Sequence, residues 1–238
     1  MKVLYISEKV PYPTGGKESV RAYEHIKGLV EKGIHVECLF FHERFIYKFS
    51  SKDVIHSTFN TKEVKIYENK KRTLNRFLYF LKGHPFLLFN YINKEMTFIV
   101  EEVLENTTID LIHVQSKIAI NFFEMEFRNT DIVVDYGESD HAILLKEIEM
   151  TNQYSFKEWL LEEELRRLKN YEAMLQSVFT NGIIHSQEEK DSVIISESVG
   201  TIEVIPTTGI DIKNGINQLT SFYEKLIRNQ HNKVVEDS

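Results

Sequence analysis

The chain has 238 residues, 42% of them hydrophobic, and a net charge of −7 at neutral pH, enough apolar material for one large α/β layer structure. The negative balance argues against nucleic acid as the main partner, because binding a phosphate backbone requires a basic surface. A single cysteine, Cys38, excludes a disulfide framework, and Lys2, Glu8 and Lys9 bracket an apolar stretch too short for a secretory signal, so a cytoplasmic location is expected.

Residues 3–6, Val-Leu-Tyr-Ile, form an apolar run too short for a helix and suited to a buried strand. Pro11 and Pro13 end it, and Gly15-Gly16 leads into an amphipathic helix that Gly33 closes. That helix places Val20, Tyr23, Ile26, Leu29 and Val30 on one stripe and turns Lys17, Glu18, Glu24, Lys27 and Glu31 to water. Residues 34–41 start alternating and finish apolar, as a strand does on entering a covered sheet. The opening is therefore βαβ, and such a sheet offers ligands the crevice beyond the carboxyl ends of its strands.

Two nucleotide motifs fail at the glycine pair. GxGxxG lacks its third glycine, because Val20 stands there; a P-loop would need glycine at Pro11 and a hydroxyl at Glu18. A carboxylate at that position repels phosphate. Two readings stay open for Gly15-Gly16: backbone N–H groups facing an anion with the helix N-terminus behind them, or a simple turn.

Lys70-Lys71-Arg72 and Arg76 precede an aromatic stretch at residues 77–82, and Gly83-His84-Pro85 separates it from residues 86–89, which predicts two helices around a turn. One reading of residues 70–89 lays the segment on an anionic membrane, at the inner membrane face; the other packs the aromatics inward, as helical aromatics usually do. No metal-ligand spacing occurs there.

A helix over residues 93–104 and a strand over residues 109–115 follow. His113 lies within that strand and reads more readily as a hydrogen-bonded sheet residue than as a base, since nothing near it in sequence orients it. The strand at residues 131–136 delivers the densest polar cluster of the chain, Gly137-Glu138-Ser139-Asp140-His141. Asp135, Glu138, Asp140 and His141 are site candidates there, with capping of the next helix by Ser139 or Asp140 as the alternative. A long amphipathic helix over residues 154–175 aligns Trp159, Leu160, Leu165, Leu168, Tyr171 and Leu175, with Glu162, Glu163, Glu164, Arg166 and Arg167 as a solvated flank. Residues 177–186 predict a strand, Ser186-Gln187-Glu188-Glu189 a capping box, and residues 201–205 a last strand before the 206–211 turn.

The ordered set LYIS, PYPTGG, DLIHVQS, VVDYGESD, LKNYEAML, IIHSQEE and VIPTTGID resembles the amino-terminal half of a GT-B-fold glycosyltransferase. Within that fold it is similar to the retaining enzymes that build cell-surface polysaccharides from nucleotide sugars. The resemblance spans residues 1–211 and implies a single Rossmann-like domain, a mainly parallel sheet flanked by helices, that binds the acceptor. A second domain would bind the donor, with chemistry in the cleft between them. It also implies that Gly15 and Gly16 face the donor phosphate, that Arg21 shapes their loop, and that Asp135, Glu138 and Asp140 serve catalysis near the transferring sugar. His113 and His141 join as substrate-binding candidates, and Ser186 and Glu188 match the family's serine-x-glutamate loop. Thr208 replaces the family's asparagine in the Thr208-Gly209-Ile210-Asp211 turn.

Residues 212–229 predict one helix, with Leu219, Phe222, Leu226 and Ile227 apolar, which the resemblance implies packs back on the domain, and residues 230–238 predict a polar tail. The expectation is an acceptor-binding half that holds no cofactor or metal of its own and is inactive alone. Its donor would come through a partner domain or subunit, and its acceptor would be a glycan or lipid-linked sugar. Two alternatives are a non-catalytic GT-B-like scaffold or activating partner of another transferase, and a flavodoxin-like binder of anions or sugar phosphates at the Gly15-Gly16 loop.

Overall fold

The computed structural model describes residues 1–42, 45–56, 79, 81–125, 127, 130–137, 140–150, 156–193, 201–206 and 212–236. The opening βαβ unit is β1 (Lys2–Ser7), α1 (Lys17–Glu31) and β2 (His35–His42). The sequence reading had missed the next strand, β3 (Phe45–Ser50), which runs antiparallel to β2 with Cys38 opposite Phe49. Ser50 ends β3 and caps the short α2 (Ser51–Ile55) in a reciprocal box with Asp53. Then come α3 (Lys94–Asn106), β4 (Leu111–Gln115), α4 (Ser116–Ala119), β5 (Asp131–Asp135), α5 (Asp140–Glu149), α6 (Phe156–Val178), β6 (Asn181–Ile184), α7 (Gln187–Val193), β7 (Thr201–Val204) and α8 (Ile212–Glu236).

The seven strands form one sheet in the order β3-β2-β1-β4-β5-β6-β7, parallel except at β2–β3. This is a Rossmann-like α/β domain. Strand order reverses at β1, so its switch point, where connections leave to opposite sides, lies between β1 and β4. Helices α1, α2 and α8 cover one face through Ala22, Ile26, Leu29, Val54, Leu219 and Phe222. Helices α3, α5 and α6 cover the other through Met96, Val100, Leu144, Leu168 and Leu175. Both faces being covered explains the nearly continuous apolar runs of β1 and β4.

Four details depart from the sequence reading. Helix α6 buries Leu168, Tyr171 and Leu175, but Trp159 at its start is 55% exposed and stacks on Phe156 instead of entering the core. Glu164, expected on a solvated flank, is buried and accepts from the backbone N–H groups of Phe86 and Leu87, both at 2.8 Å. Helix α8 continues to Glu236 where a polar tail was expected from residue 230, and the expected strand at 177–186 is cut to Asn181–Ile184 because α6 runs through Val178. A Cβ on Gly28 would stand 2.6 Å from the Ile216 side chain, so the α1–α8 crossing depends on that glycine. Residues 70–78 and 80 of the basic aromatic segment lie outside the described residues; beyond them Leu87–Tyr91 form a 3-10 helix. Among the described residues, no helix is long and apolar enough to cross a membrane.

Candidate functional site

Side-chain alternation puts Tyr5 of β1, His113 of β4 and Asp135 of β5 on the α1/α8 face, and the parallel register pairs Tyr5 with His113 and Gln115 with Asp135. Tyr5 and His113 stack at 4.2 Å between ring centroids. Helix α1 lowers Arg21 and His25, one turn apart on its buried side, onto this ladder, and α8 adds Tyr223. The Asp135 carboxylate is the hub. Its Oδ1 accepts from the backbone N–H of Gly137 at 3.0 Å and from His185 Nε2 at 2.8 Å, while Arg21 Nε and His113 Nε2 each stand 3.6 Å from Oδ2. His113 Nδ1 meets the Tyr223 hydroxyl at 2.5 Å, so a hydroxyl donating to Nδ1 leaves the Nε2 hydrogen for Asp135. His25 Nδ1 pairs with the Tyr5 hydroxyl at 3.1 Å.

Electrostatics follow from that geometry. Burial opposes ionisation of Asp135, but the Arg21 charge, the His185 ring with the hydrogen bond it donates, and His113 Nε2 facing the carboxylate at 3.6 Å outweigh it and hold the carboxyl well below its usual range. Burial lowers His25 and His113, keeping both neutral. Gly137 completes the arrangement: its φ is +55°, and a Cβ there would lie 2.9 Å from Arg21 Nη2.

His25, His113 and Asp135 bring one ligand atom each within 4.8 Å of one another, and His25 Nε2, His113 Nε2 and Asp135 Oδ2 are buried with no hydrogen-bond partner among the described residues. That donor set could accept a divalent cation. Arg21 already neutralises the carboxylate, however, so a dication would leave a net positive charge in a closed interior, and the geometry suits a neutral hydrogen-bonding group better.

A second polar group sits at the switch point. Glu8, the residue after β1, is 6% exposed, and its backbone N–H donates to Gln115 Oε1 at 2.7 Å, tying together the ends of β1 and β4. Its carboxyl lies against Glu18 of α1, Tyr91 and Lys117 of α4. Lys117 Nζ pairs with Asp140 Oδ1 at 3.1 Å and lies 5.9 Å from the Tyr91 ring centre. Burial pushes Glu8 up, Glu18 adds to the shift, and Lys117 only partly opposes it, giving about 7. Burial likewise raises Asp140 against the pull of Lys117. Beside this group Lys9, Gly16, Lys17, Glu18, Ser19 and Arg21 line a pocket of about 220 Å³ at the start of α1. A larger groove of about 530 Å³, flanked by Glu24, Lys27, Glu31 and Ile216, lies between α1 and α8 and gathers none of these buried groups.

The sequence candidates divide between these places. Arg21, His113 and Asp135 meet in the closed cluster; Asp140 belongs to the switch-point group. His141 turns away into a buried pair with Glu172 of α6, Nδ1 to Oε2 at 2.6 Å. Gly15 serves the turn: its N–H donates to Tyr12 O at 3.3 Å, and a Cβ would lie 2.6 Å from Ser19 Cβ. Gly16 caps α1, and a Cβ there would meet nothing within 4 Å. Ser186 Oγ accepts from Glu189 N at 3.1 Å and caps α7; Glu188 is exposed, while Glu189 reaches Lys17 Nζ at 3.7 Å. Glu138, Ser139 and the 208–211 turn lie outside the described residues.

Glu8, Gln115 and Lys117 escaped the sequence reading, although Glu8 directly follows β1, Gln115 ends β4 and Lys117 lies in the first turn of α4 at the switch point. No protein-family model matches the chain, and no curated protein matches it either.

Proposed function

We propose that this chain is the acceptor-side half of a GT-B-type glycosyltransferase, in which a sugar passes from a nucleotide-sugar donor to a hydroxyl of a glycan or lipid-linked acceptor. A separate domain or subunit holds the donor. The observation that carries this reading is the convergence of Glu8, Gln115, Lys117 and Asp140 on the switch point beside the Gly16 pocket, where open α/β sheets receive ligands. Carboxylates, an amide and an ammonium suit a polyhydroxylated ligand, whose hydroxyls both donate and accept. Asp135 and its partners act from behind as positioning residues that fix α1 and the strand ends. The exposed Leu81, Phe86, Leu87, Phe156 and Trp159 support a membrane-proximal acceptor.

Ligand-observed NMR with short glucose, galactose and N-acetylglucosamine oligosaccharides, alongside calorimetry with uridine and guanosine diphosphates, tests the reading. Glycan binding without nucleotide binding is expected. Nucleotide binding without glycan binding would move the chain to the sugar-phosphate binders, and sugar transfer by the chain alone would rule out a half-site.

A further inference from the structure

A small cavity lies on the α6 side of the sheet, past the carboxyl ends of β4 and β5, with about 10 Å³ open to the centre of a water molecule. Leu168 of α6 and Val193 of α7 form its apolar wall, and Ser116, Tyr136, Asp140 and Glu172 bring polar groups to it. Two hydroxyls around it are already engaged: Tyr171 donates to Ser116 O at 2.5 Å, and Ser116 Oγ donates to Tyr136 O at 3.4 Å. The third is not. Tyr136 is 4% exposed, and its hydroxyl has no hydrogen-bond partner among the described residues. Its ring is seated directly on β6, where a Cβ on Gly182 would stand 2.5 Å from Cε2. Burial first, and the Glu172 charge after it, raise the Tyr136 phenol above its ordinary value, so the hydroxyl lies within reach of that carboxylate.

The size of the cavity and its lining select the occupant. A buried water needs about 10–15 Å³ of such room and two to four polar partners. Here it accepts from the Tyr136 O–H and donates its two hydrogens to Asp140 and Glu172. Those carboxylates have lone pairs beyond the ones that meet Lys117 Nζ at 3.1 Å and His141 Nδ1 at 2.6 Å. A sugar ring is too large for the space, and a cation would add to the Lys117 charge that already faces Asp140. We propose that the cavity holds one structural water joining Tyr136, Asp140 and Glu172, and that Tyr136 acts through it as a positioning residue for Asp140 and hence for Lys117 at the switch point. The water ties the end of β5 to α5 and α6. It belongs to the free chain and stands whether or not a glycan binds.

The test uses the whole chain without ligand. A high-resolution crystal structure, with rubidium chloride replacing sodium chloride, should show a peak within hydrogen-bonding distance of Tyr136 Oη and of a carboxylate oxygen of Asp140 or Glu172, with no anomalous signal. An empty cavity overturns the proposal, and a rubidium signal overturns it in favour of a monovalent cation. Tyr136→Phe, checked for folding by circular dichroism, removes only the hydroxyl oxygen. It should displace the peak and raise the unfolding equilibrium constant about tenfold. It should also move the Asp140 midpoint in carboxyl-carbon NMR to higher pH, because a donor to the charged form is lost. A retained peak or an unmoved Asp140 midpoint in the variant overturns the positioning role, and the wild-type crystal decides the occupant whatever the variant does.

Discussion

Asp135 and Glu8 both stand at the carboxyl ends of strands in the same sheet, both nearly fully buried, yet they are held in opposite ways. Asp135 has a guanidinium, two imidazoles and a backbone N–H turned toward it, and these hold it ionised despite burial. Glu8 has one ammonium shared with Asp140, a neighbouring carboxylate, and an unpartnered oxygen, and burial wins. Desolvation acts on both; the number and sign of fixed neighbours decides the outcome. A strand-end acid surrounded by donors is a structural hub, whereas one left short of donors is available to a ligand.

The comparison is most exposed to failure at Asp135. Asp135→Asn leaves Arg21 buried without its counter-ion, and breaking such a pair costs about 3–5 kcal/mol. Urea denaturation at neutral pH should show a loss of that size, and a change below about 1 kcal/mol would mean the hub is not held as described. Since its folded value is depressed, its stabilisation is present above the ordinary Asp range and is lost only as pH falls through that depressed value.

Glu8 should behave with the reverse sign. Its folded value, about 7 against an ordinary 4.5, means that its stability contribution is complete below the lower figure and disappears as pH rises through the upper one. Ionising it in place costs about 3 kcal/mol from the size of that shift. Denaturation from pH 4.5 to pH 8 should show the decline in the wild type and a flatter profile in Glu8→Gln. Identical profiles would show that Glu8 is not strained, removing the contrast with Asp135.

The sheet and its helices were legible because apolar runs and the Val20–Leu29 stripe follow the strand and helix periods. β3 was not, because Phe45–Ser50 pairs antiparallel at the sheet edge and its sequence mixes a lysine and aromatics without a clear period. Trp159 fitted the apolar stripe, but the first turns of α6 extend beyond the core they would have packed on. Asp135 and Arg21 were named from motif position. Their partnership was not, nor was that of Glu172 with His141, because each contact joins residues far apart in the chain. In the sequence Glu8 stands only as a charge that brackets the first apolar run; the pairing of β1 with β4 reveals that the residue after β1 is enclosed.

Gly137→Ala tests the same hub through backbone and space. The substitution forces a side chain into a positive-φ position and within 2.9 Å of Arg21 Nη2, so the guanidinium whose Nε faces Asp135 must shift. A loss of about 1–3 kcal/mol is expected. Adding Asp135→Asn should make the two losses less than additive, because both act on the Arg21–Asp135 contact.

The smallest effect separates the two glycines beside Glu8. An added Cβ at Gly15 meets Ser19 Cβ, an atom fixed to the helix backbone, at 2.6 Å, so Gly15→Ala must displace the start of α1 and should cost about 1 kcal/mol. At Gly16 the space is open and φ is −66°, within reach of any residue, so Gly16→Ala should change stability by no more than about 0.5 kcal/mol. If the pocket takes a ligand against this backbone, the harmless methyl of Gly16→Ala should nevertheless weaken oligosaccharide binding, because it projects into the space Gly16 leaves open. Unaltered binding would place the ligand against Glu8 and Gln115 alone and make the glycine pair a turn.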